Sequence, residues 1–332
     1  MRVVVLGGTR FVGRAVVEEL AAHRHDVLVI HRGEQEPDDL PEVEHLHMTR
    51  EELAARPQAA QGFRPDAVVD TFALNRADAE AGLRGVPGEL PRVVVSSGDV
   101  YRAYGSLQAG TITDAVPLSE SAPLRAERYP YAGQPPEATL GVDPDRYEKL
   151  DVEEVYRAAG ATVLRLGFVY GERDYQRREE FILRRVRAGR ARIPVGPGSW
   201  IVSRTYVRDA ARAARLALER GLRGETFNVC EAAGTPVRLW AEQIVEAAGL
   251  RADRLVTVPA ERLPPDLWPT GLAGQHLFLD SRRAREILGW QGTAAEEAVR
   301  TSVRWHLAHP PPAETDAFEL DDQALATHEA SL

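Results

Sequence analysis

The chain has 332 residues, of which 44% are hydrophobic and 27% charged, and its formal net charge is −9. That length suits one large domain or two lobes of a globular protein, and the acidic balance argues against nucleic acid as the main partner. A single cysteine, Cys230, excludes an internal disulfide and a multi-cysteine zinc site, and no run reaches the roughly 18 apolar residues of a membrane span, so a cytoplasmic protein with no membrane partner is expected.

The first element is the clearest. Val3, Val4, Val5 and Leu6 form a short β-branched run that suits a parallel strand covered on both faces. Gly7 and Gly8 permit a tight turn. Phe11, Val12, Ala15, Val16 and Leu20 then recur at helical spacing. The turn therefore sits at a helix N-terminus, where free N–H groups and the helix dipole attract phosphate. Gly13, in the first helical turn, lets helix and strand approach closely.

A second strand is expected at 26–30, ending in His31-Arg32-Gly33. After such a strand an acidic residue accepts from a ribose 2′-hydroxyl, whereas an arginine suits a 2′-phosphate. Arg32 leans the reading to NADP over NAD, unless it stacks on adenine or points to water. A third strand falls at 43–47, where His45 and His47 alternate as on a surface strand. Thr49 with Glu52 then reads as a capping box. The histidines show no metal-ligand spacing, and no metal site is expected.

Strands four and five fall at 67–70 and 92–95, the fifth running into Ser96-Ser97-Gly98-Asp99-Val100-Tyr101. Strands alternating with helical stretches predict an α/β fold with a doubly wound parallel sheet of Rossmann type. Residues 102–145 are rich in Pro, Gly and Ser and read as a long functional loop. A helix at 146–159 and a strand at 162–166 follow. After 172 the pattern changes. Helices are expected near 179–188, 207–219, 237–248, 282–288 and 294–308, with short strands near 193–195, 226–229 and 255–258. The last stretch, 310–332, is proline-led and acidic and reads as a mobile tail.

The glycine turn resembles the Gly-x-x-Gly-x-x-Gly of the short-chain dehydrogenase/reductase superfamily, with Gly7 and Gly13 outermost and Arg10 in place of the middle glycine. The Gly7-Gly8-Thr9-Arg10-Phe11 form is similar to an atypical branch of its extended members, the NAD-dependent epimerase/dehydratase-like proteins. The likeness covers 1–308. It implies a Rossmann domain over 1–171, to which some later segments return, and a smaller C-terminal α/β substrate lobe over 172–309. It implies that Gly7, Thr9, Arg10, Phe11, Val12 and Gly13 cradle NAD or NADP, with Phe72, Ala73, Lys149 and Gly167 lining the same site. Arg10 either lies over the pyrophosphate as a fixed charge or is a solvated surface arginine. The aspartate that often follows strand three in the family is absent, and Met48-Thr49-Arg50 stand there.

The resemblance also implies hydride transfer with a serine or threonine, a tyrosine and a lysine. Ser97 matches the serine, or else caps a strand end. Asp99 falls where dehydratase-like members carry an acid, or else is a turn residue. Lys149, the chain's only lysine, matches the family lysine. Its tyrosine should stand four residues earlier, where this chain has Asp145. Tyr147 is two residues away, a rotation of roughly 200° on a regular helix. Tyr-x-x-x-Lys is therefore absent as written. Three readings stand. The helix begins at about Tyr147 and leaves that residue in a turn from which it reaches the site; this reading is preferred. Another hydroxyl, of Tyr101, Tyr104 or Tyr170, substitutes. Or proton transfer is lost, with Asp145 paired to Lys149.

Tyr101, Tyr170 and Arg204 are the substrate-side candidates. Arg204 enters because Arg204-Thr-Tyr206-Val207-Arg208-Asp209 resembles the stretch whose arginine binds a nucleotide-sugar phosphate, displaced by two residues. The arginine-dense segment 173–192 either binds a phosphorylated substrate or is a solvated helix face. The implied function is an NAD(P)-dependent oxidoreductase or epimerase acting on a hydroxyl or ketone of a sugar nucleotide or other small metabolite, in a family that forms homodimers. Two rivals share the fold: a non-catalytic NAD(P)-binding sensor, and an RNA-binding protein, since plant chloroplast stem-loop-binding proteins resemble the Gly7–Phe11 turn.

Overall fold

β1 (Arg2–Leu6) lies inside a parallel sheet, and Val3, Val4 and Val5 have no solvent exposure. Valines on both faces of a strand stabilise it only where both faces are covered; each buried side chain contributes about 1.5–3 kcal/mol. The structure, a computed structural model, describes residues 1–134, 143–312 and 317–329. From β1 the chain enters α1 (Phe11–Ala22), β2 (Asp26–His31) and β3 (Glu44–His47). α2 (Arg50–Ala55) starts on the capping box read from the sequence: Glu52 N donates to Thr49 Oγ1, and Thr49 N donates to the Glu52 carboxylate. The single turn α3 (Gln58–Gln61), β4 (Ala67–Asp70), α4 (Arg76–Gly85) and β5 (Arg92–Ser97) follow.

The long stretch after β5 is not all loop. α5 (Arg102–Gln108) opens it, because Ala103, Tyr104 and Leu107 share a helix face that packs with Leu118, Val202 and Leu279. Composition hid this short amphipathic helix; residues 135–142 of the stretch lie outside the described residues. Then come α6 (Lys149–Ala158), β6 (Thr162–Leu166), β7 (Phe168–Tyr170), α7 (Glu180–Arg187), β8 (Ile193–Val195), β9 (Arg204–Tyr206), α8 (Val207–Glu219) and β10 (Thr226–Val229). α9 (Val237–Ala247), β11 (Leu255–Thr257), α10 (Trp268–Gly271), α11 (Ala295–Ala308) and α12 (Glu319–Glu329) complete the chain.

The main sheet has seven parallel strands in the order β10-β6-β5-β4-β1-β2-β3. β10 falls within 172–309 and extends the main sheet beside β6, with Phe227 opposite Leu164. α8 likewise returns and packs along α1, where Arg215 Nε lies 2.8 Å from Glu19 Oε1. The remaining pieces form two parallel strand pairs, β7 with β9 and β8 with β11, among helices α7, α9 and α11. One hydrophobic core runs from Val3 and Val5 through Phe227 to Trp240 and Val303, so the main sheet and the helices α9 and α11 share one interior. No described helix is long and apolar enough to cross a membrane.

The tail reading is corrected over 317–329. Arg185, with no exposure, donates through Nε and Nη2 to both oxygens of Asp321 at 2.7 Å, and through Nη1 to Asp266 at 2.7 Å. Ala324 and Leu325 pack on Val258, and the Arg184 guanidinium lies 4.8 Å over the Phe318 ring. The acidic composition that suggested solvation is in part the counter-charge of a buried arginine. Residues 313–316 and 330–332 lie outside the described residues. Arg185→Ala strands the Asp321 carboxylate without its partner, at a cost of about 3 kcal/mol. The expected outcome is a lower Tm and release of α12 by limited proteolysis under conditions that leave the parent intact.

Candidate active site

The glycine turn is held by contacts that admit no side chain. Gly7 has φ +86°, and a Cβ at Gly13 would stand 1.8 Å from the Gly7 carbonyl oxygen. Thr71 Oγ1 donates to that same oxygen at 2.7 Å. The first turn of α1 is thereby pressed onto the β1 exit. Arg10, the N-cap of α1, makes no side-chain cap, and the first intrahelical bond runs from Arg14 N to Arg10 O. The N–H groups of Phe11, Val12 and Gly13 precede it and are positioned for an anion. Phe11 takes a strained φ of +38° and meets Tyr175 edge-on, with Arg10 stacked 4.6 Å over the Tyr175 ring. Thr9 is half-buried in the turn, and Phe72, half-exposed, stands beside Gly7. Open amides together with two positions that any side chain would fill are what a dinucleotide pyrophosphate requires.

Other expected cofactor contacts divide. Arg32 is exposed at the end of β2 and pairs with Glu34 at 2.8 Å. Ala73 is buried and offers its carbonyl to Lys149. Gly167 has a packing reason instead: a Cβ there would meet the Ser203 carbonyl oxygen at 2.4 Å, and its N–H donates to Thr205 Oγ1.

Tyr147 and Lys149 are placed by where the helix begins. A short 3-10 turn, Pro144–Arg146, ends at Tyr147, whose backbone is extended (φ −77°, ψ 114°). Glu148 caps α6 by accepting from Leu150 N at 2.8 Å, and Lys149 is its first residue. Tyr147 is therefore outside the helix, as the preferred sequence reading has it. Its hydroxyl donates to Asp99 Oδ2 at 2.8 Å. Asp99 follows Ser97 at the end of β5, and Asp99 N donates to Ser97 Oγ at 3.2 Å. Lys149 Nζ donates to the carbonyls of Ala73 (2.6 Å) and Val95 (3.0 Å), and burial brings its pKa down to about 8. Asp145 is no partner for Lys149; it is exposed and accepts from Gly133 N at 2.8 Å.

Two residues that the sequence did not single out complete the cluster. Tyr131 donates to Asp99 Oδ2 at 3.3 Å, takes a hydrogen bond from Tyr104 at 2.8 Å, and meets the Tyr147 ring edge-on at 5.2 Å. Arg125 forms a buried ion pair with Glu148 (2.5 and 2.9 Å) and donates through Nε to the Asp99 carbonyl. Both lie in the irregular stretch before α6, where no periodicity marks them. Its length was the one available signal. Asp99 Oδ1 is buried without a partner among the described residues. Burial pushes the Asp99 carboxyl up, and desolvation together with the Asp99 charge holds the Tyr147 and Tyr131 phenols well above their ordinary range.

Three substrate-side candidates are corrected. Tyr101 is fully buried, donates to Asn228 Oδ1 at 2.6 Å and carries the Arg165 guanidinium over its ring. Tyr170 donates to Glu231 Oε1 at 2.7 Å, and Arg204 pairs with the other oxygen of Glu231 at 2.6 Å beside the Trp240 face. A buried phenol or guanidinium takes an interior partner, and these three have theirs. The arginines of 173–192 are also spent on intramolecular pairs, among them Arg173 with Asp39, Arg177 with Glu180, and Arg184 and Arg185 with Asp266.

A sequence profile described as the NAD dependent epimerase/dehydratase family matches residues 3–83 and 149–230. The chain is 33% identical over 274 residues to the 2′-dehydrokanamycin reductase of Streptomyces kanamyceticus, covering 79% of this chain and 70% of that protein. It is 25% identical over 315 residues to the chloroplast stem-loop binding protein of 41 kDa b of Arabidopsis thaliana, covering 87% and 75%. Among solved structures, the UDP-glucose-4-epimerase of Stenotrophomonas maltophila with bound NAD and formylated UDP-arabinopyranose superposes with a TM-score of 0.70 over 93% of this chain and 98% of that one. At 17% identity that likeness is one of fold. Gly13→Ala drives α1 off the Gly7 carbonyl; titration with NAD(H) and NADP(H) by fluorescence is expected to show binding weakened by about tenfold or more.

Proposed function

The chain belongs to the NAD dependent epimerase/dehydratase family, enzymes of the epimerase, dehydratase and reductase type, and we propose that it interconverts a ketone and a secondary alcohol on a sugar-bearing small molecule. The observation that carries this reading is the Tyr147 hydroxyl 2.8 Å from Asp99, beside Ser97 and two residues before the start of α6, in a chain without Tyr-x-x-x-Lys. The relative from S. kanamyceticus is by its name a reductase of 2′-dehydrokanamycin, which supports the reductive direction. The net charge of −9 opposes the stem-loop reading.

In this proposal the open amides of α1 hold the pyrophosphate and Lys149 turns from the Ala73 and Val95 carbonyls to the nicotinamide ribose. Arg32, whose charge partner among the described residues is the exposed Glu34, takes the 2′-phosphate of NADP. The dinucleotide, when bound, supplies or accepts the hydride. The chain manages the proton. Tyr147 keeps its proton at neutral pH, so it can donate to a carbonyl oxygen and surrender that proton as the alcohol forms. Ser97 Oγ donates to the same oxygen. Asp99 Oδ2 touches both Tyr147 and Tyr131, so Tyr104, Tyr131 and Asp99 form a line of hydroxyl and carboxyl groups through which Tyr147 is reprotonated.

Tyr147→Phe removes the transferable proton and leaves the cradle intact. Its expected signature is unchanged NADPH affinity with turnover of a keto-sugar panel down about 100-fold, followed by nicotinamide absorbance; equal turnover would remove Tyr147 from the role. Lys149 yields a pH test. Its ammonium is lost as pH rises through about 8, so cofactor affinity falls there, and in Lys149→Met it stays level across the same range. The stability of the cofactor-free fold moves the other way. Between about 8 and the ordinary lysine value of 10.5 the unfolded chain holds the proton that the fold has lost, so Lys149 contributes rising stability with pH, checked by Tm in that window.

A further inference from the structure

The ends of β2 and β3 lie side by side, with His31 opposite His47 in the register. His45 and His47, two apart on β3, face the same way. The connection between the strands brings Glu36 back onto this corner. One ligand atom from each of His31, Glu36, His45 and His47 lies within 4.8 Å of the other three. His31 Nε2 is 2.9 Å from His45 Nδ1 and 3.5 Å from Glu36 Oε2. His47 Nε2 is 2.6 Å from Glu36 Oε2, and His45 Nδ1 is 3.7 Å from Glu36 Oε1. Zinc bonds of about 2.0–2.1 Å in a tetrahedron set neighbouring ligand atoms about 3.3 Å apart, inside this spread. We propose that His31, Glu36, His45 and His47 form a closed zinc site that fastens the β2–β3 connection to the sheet edge.

The donor set selects the ion. Three imidazoles and one carboxylate suit zinc and its transition-metal neighbours, whereas magnesium and calcium take oxygen. The charge environment agrees. Among the described residues the charge partners of Glu36 are the three histidines, with no arginine or lysine against it. The Glu36 and His47 side chains are 39% and 54% exposed, which leaves the ion a way in. The protons also balance. A neutral His31 that binds through Nε2 carries its proton on Nδ1, so the 3.2 Å contact from Gly33 N to Nδ1 opens. Gly33, with φ +80° and packed on the His47 ring, is the residue best able to turn. The same connection carries Asp39, which holds Arg14 of α1 and Arg173, so the ion would brace the segment that flanks the cofactor cradle. Four protein ligands leave no open position, which makes the site structural and not catalytic.

The test uses full-length, tag-free protein stripped with a chelator. Calorimetric titration with Zn²⁺ is expected to give one site per chain, and Zn²⁺ to raise the Tm by mass action. His45→Ala and His47→Ala are each expected to weaken binding by about tenfold or more, and Glu36→Gln likewise. His23→Ala, on the exposed end of α1, is expected to change nothing. Co²⁺ titration of the parent decides without any variant: intense visible bands of a four-coordinate ion support the site, and a weak six-coordinate spectrum overturns it. No saturable Zn²⁺ binding up to on the order of 100 µM, or binding that survives His45→Ala with His47→Ala, also overturns it.

Discussion

The geometry of the site depends on the ion pair between Arg125 and Glu148, neither of which has more than 1% of its side chain exposed. Withdrawing two charges from water is costly, and the cost is offset only when the geometry is good and the remaining donors and acceptors are filled. Here they are. Arg125 also donates to the Asp99 and Glu127 carbonyls, and Glu148 also accepts from Tyr129 N and Leu150 N. The pair thus joins the end of β5, the irregular stretch and the first turn of α6. By making Glu148 the helix cap it leaves Tyr147 extended, and by gripping the Asp99 backbone it presents the carboxyl to that tyrosine.

A second buried charge positions the other wall. Asp70 ends β4, and although burial raises its pKa, the Arg50 guanidinium beside it holds the carboxyl below its ordinary value. Tyr156 of α6 donates to the same group, and Phe72 N donates to Oδ1. The turn from Asp70 to Ala73 therefore has one shape. That shape sets Phe72 beside Gly7 and supplies the Ala73 carbonyl to Lys149. Both sides of the proposed cofactor site rest on guanidinium–carboxylate pairs in the interior, and the Gly7–Gly13 contact closes the third side.

Legibility follows the range of the interactions. The β1–turn–α1 unit, the Thr49 capping box and the parallel sheet were readable because each is a pattern within a few residues. α5 and α12 were not. Their apolar faces are short, and α12 is fixed by Arg185, more than a hundred residues earlier in the chain. Tyr101, Tyr170 and Arg204 carried suggestive positions, but each is taken up by a partner that no local pattern names. The family profile covers 3–83 and 149–230, while Ser97, Asp99, Arg125, Tyr131 and Tyr147 all fall between. The scaffold is thus the family's recognisable part, and the segment between holds the departure from its motif.

By itself the sequence determined the β1–turn–α1 unit proposed here as the dinucleotide cradle, since glycines at 7 and 13 between an apolar strand and an amphipathic helix are compatible with few other arrangements. It also determined that Tyr147 stands two residues, and not four, from Lys149. Only the tertiary structure decided what that spacing means. A two-residue offset points the tyrosine away on a helix and toward Asp99 in an extended turn, and the choice is made by Arg125, more than twenty residues away in sequence. The four residues of the proposed zinc site obey the same rule. Helical and strand periodicity are local and survive in one dimension, whereas a buried charge chooses its partner in three.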